Sequence, residues 1–209
     1  YKLVKTIAMS SGCKVSYIDY PLAPENSYLA TLEMVDQSYK LLIDRYTDDD
    51  FIFIGDSAGG GLALAFAQKL INDKATKLPV KCVLFSPWID ISMKNPQIKQ
   101  QENKDIILPL NGLMYAARKY AGNEDLNNYL LSPINGDING LPLTMVFYGS
   151  EELFCPDIEL LKEKTRNTGN FIFNRFEGMQ HDWVILPIPE AKVAIKKAIE
   201  FIMENSEST

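Results

Sequence analysis

Two hydrophobic patterns alternate along the chain: helical stripes and short, unbroken apolar runs. Residues 3–10 follow the helical period, and Gly12 supplies a stop. Residues 14–20 read as a strand, ended by Pro21 and Pro24. Residues 31–46 place Leu32, Val35, Tyr39, Leu42 and Tyr46 on one stripe, which predicts an amphipathic helix. Residues 51–54 are wholly apolar, as in a strand covered on both faces. A helix over residues 61–72 and a strand over 81–86 follow. From about residue 92 to 132 the rhythm breaks into stretches rich in Asn, Pro and Gly, with one helix near 110–120. It then returns as a strand over 143–148, a helix over 156–168 with Pro156 at its first position, a strand over 171–176 and a closing helix over 189–204.

Strands alternating with helices predict an α/β protein, a three-layer α/β/α sandwich around a mostly parallel sheet. No repeat or low-complexity linker divides residues 1–209, so the expectation is one domain carrying an insertion over about 92–132. The 46% hydrophobic and 23% charged content is that of a globular chain able to bury a core. A net charge of −6 argues against a nucleic-acid surface. No apolar run is long enough to span a membrane, and the first residues lack the order of a signal peptide. Cys13, Cys82 and Cys155 are odd in number and lack metal-ligand spacing. They read as free buried thiols in a reducing compartment, which makes a cytoplasmic location the expectation. The run Asp48-Asp49-Asp50 reads as a solvated turn, since no further ligands stand at loop spacing. The chain starts at Tyr1 and enters a helical pattern almost at once, so it reads as the C-terminal portion of something longer.

The chemistry is carried by Gly55-Asp56-Ser57-Ala58-Gly59-Gly60, a G-x-S-x-G segment between a predicted strand and a predicted helix. Glycines at minus two and plus two permit a sharp turn that lifts the Ser57 hydroxyl above the sheet. The same turn puts the Ala58 N–H at a helix N-terminus, where it can help hold an oxyanion. The bland alternative is a glycine-rich turn in which Ser57 only caps the helix. A trypsin-like Gly-Asp-Ser-Gly-Gly reading fails, because there the histidine precedes the serine. Here the only histidine, His181, follows Ser57 and sits just past the last predicted strand. A serine hydroxyl needs such a base. The third member should be a carboxylate between the two, and the strand over 143–148 delivers Glu151, Glu152 and Asp157. Asp157 falls in the first turn of the next helix, where an acid complements the dipole; position alone does not separate the two glutamates.

These segments resemble the hormone-sensitive-lipase-like (family IV) branch of the α/β-hydrolases, over essentially the whole chain. Tyr20-Pro21-Leu22-Ala23-Pro24-Glu25 is similar to that branch's Tyr-Arg-Leu-Ala-Pro-Glu, with Pro21 in place of Arg. Gly55 to Gly60 matches its Gly-Asp-Ser-Ala-Gly-Gly, and Ser86-Pro87-Trp88-Ile89-Asp90 resembles the segment after its next strand. Its acid loop, Gly-x-x-Asp/Glu-x-Leu, laid on Gly149 puts the acid at Glu152, with Glu151 in reserve. His181 matches its histidine, although Asp182 stands where Gly is common. The resemblance implies a serine carboxylesterase or lipase acting on small, short-acyl esters through an acyl-enzyme, with no metal or organic cofactor. Peptidase or amidase chemistry on the same fold, and a catalytically dead binding protein like the plant gibberellin receptors, are the alternatives. Pairing of that branch through its last strand and helix implies a homodimer.

The branch's His-Gly-Gly-Gly loop, which supplies most of its oxyanion hole, has no counterpart in these residues. The resemblance therefore implies the α/β-hydrolase fold with N-terminal strands missing, and either a gap or re-pairing within the sheet. The 92–132 stretch is expected to contribute to a cap, with Trp88 and Phe154 either lining the pocket or packing as core.

Overall fold

Four of the apolar runs form one sheet in the computed structural model, which describes residues 2–204. β1 (Ile52–Asp56), β2 (Lys81–Phe85), β3 (Leu143–Gly149) and β4 (Phe171–Phe176) lie side by side in that order, all parallel. The helices are α1 (Lys2–Ser11), α2 (Tyr28–Arg45), α3 (Ala58–Asn72), α4 (Ile98–Gln101), α5 (Leu110–Ala121), α6 (Cys155–Lys164) and α7 (Pro189–Met203). Parallel neighbours need crossovers. α3 supplies the first, the irregular 86–142 stretch with α4 and α5 the second, and α6 the third.

The period-2 alternation of the central strands sorts the layers. Cys82, Leu84, Val146 and Tyr148 point to one face and pack with Leu64 and Ala67 of α3 and Ile158 and Leu161 of α6. Val83, Phe85, Met145 and Phe147 point to the other and pack with Ile7 of α1 and Ala191, Ala194, Ala198 and Phe201 of α7. The result is an α/β/α sandwich in three layers. α2 and α5 form an outer cluster on α3, where Tyr39 stands edge-on to Phe51, Phe53 and Phe66. Full burial of one such side chain contributes about 1.5–3 kcal/mol. Lys81 breaks the apolar run of β2 but is only 3% exposed, and its ammonium donates to the carbonyls of Phe201 and Glu204. It thereby caps the negative end of α7 and ties the closing helix to the sheet.

The sequence expectations fail at two places. Residues 14–20 are not a strand: they run irregularly and mostly exposed, with Lys14 paired to Asp49 and Ile18 and Tyr20 resting on the outer cluster. A strand needs a ladder partner for its amides, and no described strand pairs with them. β1 is the edge of the described sheet, yet both its faces are covered in part: Phe53 packs on the α3 side and Ile52 on the α1/α7 side, while Ile54 is 37% exposed. The sheet therefore closes up as four consecutive strands. Cys13, expected to be buried, is exposed, while Cys82 and Cys155 are buried free thiols. Asp49 and its neighbours form a turn, and among the described residues no cluster of three His, Cys, Asp or Glu could hold a metal. No described helix is long and apolar enough to cross a membrane.

Asp157 lies in the first turn of α6, as expected, but is 1% exposed. Burial, reinforced by the nearby Asp90, pushes its carboxyl up to about 7, against the Asn95 amide that donates to it at 2.9 Å and the charge of Lys94. A carboxyl whose folded value lies above its unfolded one favours the folded state most at low pH, and that contribution is lost as pH rises through about 7. Asp157→Asn, which keeps an acceptor for Asn95, is expected to raise the thermal midpoint by several degrees at pH 8 and hardly at all at pH 4. Melts at the two pH values check this. An equal shift at both would rule out charge burial as the cause.

Candidate active site

The turn after β1 is shaped by glycines. A Cβ on Gly55 would lie 2.2 Å from the Gly59 carbonyl oxygen, and one on Gly61 would lie 2.0 Å from that of Trp88. The chain can thus reverse into α3 while pressing against the loop after β2. Ser57 sits in a left-handed conformation, φ 52° and ψ −122°. Its N–H donates to the Phe85 carbonyl (2.9 Å), and its own carbonyl accepts from Trp88, Gly60 and Gly61. Although Ser57 stands at the head of α3, its hydroxyl makes no cap bond. Ala58 is exposed and contributes one of the first four helical amides, which have no carbonyl a turn back to bond.

The loops after β3 and β4 are stitched together. Ser150 N–H donates to Phe176, Glu151 N–H to Met179, and Gly178 N–H to the Ser150 hydroxyl at 2.8 Å. A Cβ on Gly149 would meet the Met179 carbonyl oxygen at 2.1 Å, so the close approach requires glycine. This stitching places His181, 5% exposed, with Nε2 at 2.9 Å from Ser57 Oγ. Its Nδ1 faces Glu152 Oε2 at 3.5 Å, and Glu152 is fully buried. Glu151 points elsewhere, half-buried, and accepts from the Gln180 side chain at 3.0 Å. The geometry therefore brings Ser57, His181 and Glu152 together and leaves Glu151 and Asp157 out. Phe154 is packed edge-on against His181, with ring centres 5.0 Å apart, and the half-buried Trp88 stacks on Phe154 at 5.6 Å. The pair acts as a wall behind the imidazole.

Burial raises the carboxyl of Glu152, while His181, the Ser86 hydroxyl and the Gly149 amide pull it back. Burial also works against an imidazolium, but hydrogen bonding and charge from Asp182 and Glu152 outweigh it and lift His181 to about 9. Asp182 is the residue that sequence reasoning undervalued. It takes a left-handed conformation (φ 54°) where glycine would be at ease, and brings Oδ2 to 3.3 Å from His181 Nε2. It thus competes with Ser57 for the same ring nitrogen. Asp56, raised by burial, carries a further carboxylate beside Asp182.

The alpha/beta hydrolase fold family matches residues 1–185. An esterase of Acinetobacter venetianus is 28% identical over 204 residues, covering 95% of this chain and 67% of its own. An acetyl-hydrolase of Streptomyces hygroscopicus is 30% identical over 204 residues, covering 96% and 68%. The crystal structure of an esterase from the bacterial hormone-sensitive lipase family superposes with a TM-score of 0.90 at 30% identity, covering 96% of this chain and 69% of that one. The chain therefore spans about two thirds of the length of these relatives.

With one histidine in the chain, its titration can be followed by NMR without assignment ambiguity. The midpoint is expected near 9, and in Asp182→Asn to fall by about one pH unit. A midpoint unmoved by that substitution would remove Asp182 as a source of the shift.

Proposed function

Since the chain belongs to the α/β-hydrolase family, we propose that it is a serine hydrolase cleaving carboxylic esters of short acyl chain, with Ser57 as nucleophile, His181 as general base and Glu152 as the acid. The observation that carries this reading is the 2.9 Å approach of Ser57 Oγ to His181 Nε2. Neutral imidazole takes the hydroxyl proton as Oγ attacks the ester carbonyl, and Glu152 stabilises the resulting imidazolium through Nδ1. The Ala58 N–H, at the positive end of α3, donates to the oxyanion. His181 then protonates the departing alkoxide, an acyl group remains on Ser57, and water activated by the same imidazole releases the acid.

The esterase and acetyl-hydrolase relatives support an ester substrate with a small acyl group. The left-handed Ser57 backbone supports a nucleophile held by its surroundings in place of a simple cap. Because His181 binds its proton up to about pH 9, the base-competent fraction is small at neutral pH and the rate climbs with pH toward that value.

A fluorophosphonate probe is expected to label one site per chain, at Ser57, and Ser57→Ala to abolish both labelling and p-nitrophenyl acetate turnover. Glu152→Gln is expected to lower kcat by about 10²–10⁴. Turnover is expected to fall as the acyl chain lengthens. Labelling that survives Ser57→Ala overturns the nucleophile assignment. Clean labelling with no turnover of any ester overturns the esterase reading and favours a ligand-binding homologue.

A further inference from the structure

The stretch between β2 and β3 does more than connect strands. Asp105 is 6% exposed, and among the described residues its carboxylate accepts three backbone amides and no side-chain donor. Oδ1 takes the N–H groups of Ile107 (2.8 Å) and Leu108 (3.0 Å), both in its own turn. Oδ2 reaches across to the N–H of Leu153 at 2.7 Å, the residue that follows Glu152. Next door, the Gln180 side chain accepts from Ile106 N–H and donates to the Lys104 carbonyl, both at 3.0 Å. Gln180 immediately precedes His181. The same few residues, 104–106, therefore grip the backbone beside Glu152 and the side chain beside His181.

We propose that Asp105 is a positioning residue for the reaction: it clamps the Glu152 loop through Leu153, and with Gln180 it makes residues 104–106 a clasp that sets the Glu152–His181 distance. This rests on the triad reading above. The inter-residue gap makes the clasp matter. At 3.5 Å, Glu152 and His181 form an ion-pair contact that falls short of a hydrogen bond, so any retreat of the loop weakens it further. The clamp also needs a carboxylate. Three amides converge on two oxygens, and an Asn could offer an acceptor to one side only, turning its NH₂ toward an N–H on the other.

The test compares Asp105→Ala and Asp105→Asn, each alone and combined with Glu152→Gln. kcat is taken per fluorophosphonate-titrated site, so unfolded protein is not counted. Each Asp105 variant is expected to lower kcat about 10- to 100-fold with KM within about 2-fold of the parent. In the Glu152→Gln background the same substitution is expected to change kcat by less than about 2-fold, because the residue it positions is already disabled. Multiplicative losses in the double variants overturn the proposal. The His181 titration separates this from the esterase reading. Whether or not the protein turns over esters, Asp105→Asn should move the NMR midpoint downward, toward that of Glu152→Gln. A midpoint left where it is in the parent, in a variant with native near-ultraviolet dichroism, overturns the clasp alone.

Discussion

A serine at φ 52° and ψ −122° occupies backbone space that an L-residue avoids, at a cost of about 1–3 kcal/mol. Something else must hold it, and much of the molecule is arranged as that holder. The Ser57 amide extends the ladder to β2 by donating to Phe85, and the Ser57 carbonyl is gripped by the amide of Trp88 and by two amides of α3. Those bonds require the 86–88 loop to lie within van der Waals distance of the start of α3, which is possible only because Gly60 and Gly61 leave no Cβ in the way. The loop in turn is fixed because Ser86 N–H donates to Phe147 of β3. Strain at one residue is thus distributed through three adjacent strands. The alternating burial of β2 and β3 against α3 and α6 on one side, and α1 and α7 on the other, keeps those strands in register.

The sequence makes some of this legible because the signals are local. Apolar runs bounded by Gly and Pro locate β2, β3 and β4 to within a residue or so, and G-x-S-x-G fixes the elbow. His181 is legible by uniqueness. The failures have a common physical cause, which is that pattern reports a segment's preference and not its neighbours. Residues 14–20 have strand composition, but with no ladder partner among the described residues their backbone stays irregular and exposed. β1 is as apolar as β2, yet it sits at the edge. The choice between Glu151 and Glu152 depends on which way a loop turns after Gly149. That turn is decided by a contact with Met179 some 30 residues away, which no local pattern encodes. Asp182 and Asp105 escaped for the opposite reason: each is an ordinary surface residue type, and only its partners make it significant.

Charge is the second constraint on the site. Glu152 is removed from water entirely, and an ionised carboxylate there is tolerable only while paired. His181 supplies the pairing, and Glu152 in return favours the imidazolium. In a two-carboxylate environment this mutual support overshoots. Asp182 sits at the ring nitrogen that also faces Ser57, the atom that would take the hydroxyl proton in the mechanism proposed above, so it stabilises the protonated ring where that mechanism needs a free lone pair. A glycine at this position would take the left-handed backbone without strain and leave Nε2 to Ser57 alone. Aspartate tolerates αL better than most residues, so the exchange is conformationally mild and chemically large.

The length of the acid side chain connects these threads. Glutamate carries one more rotatable bond than aspartate, so holding its carboxylate opposite Nδ1 forfeits more rotamer entropy and demands a better-fixed backbone. Here that backbone is fixed from both sides. Gly149, Ser150 and Glu151 are stitched to the histidine loop, and Leu153 is drawn to Asp105. Glu152 sits at the one position between the two anchors, with Phe154 filling the space behind His181 so that neither partner can swing away. An aspartate here would stop short of His181 by about the length of a bond unless the loop moved in. The longer acid, the tight glycine contact and the buried Asp105 are therefore one solution.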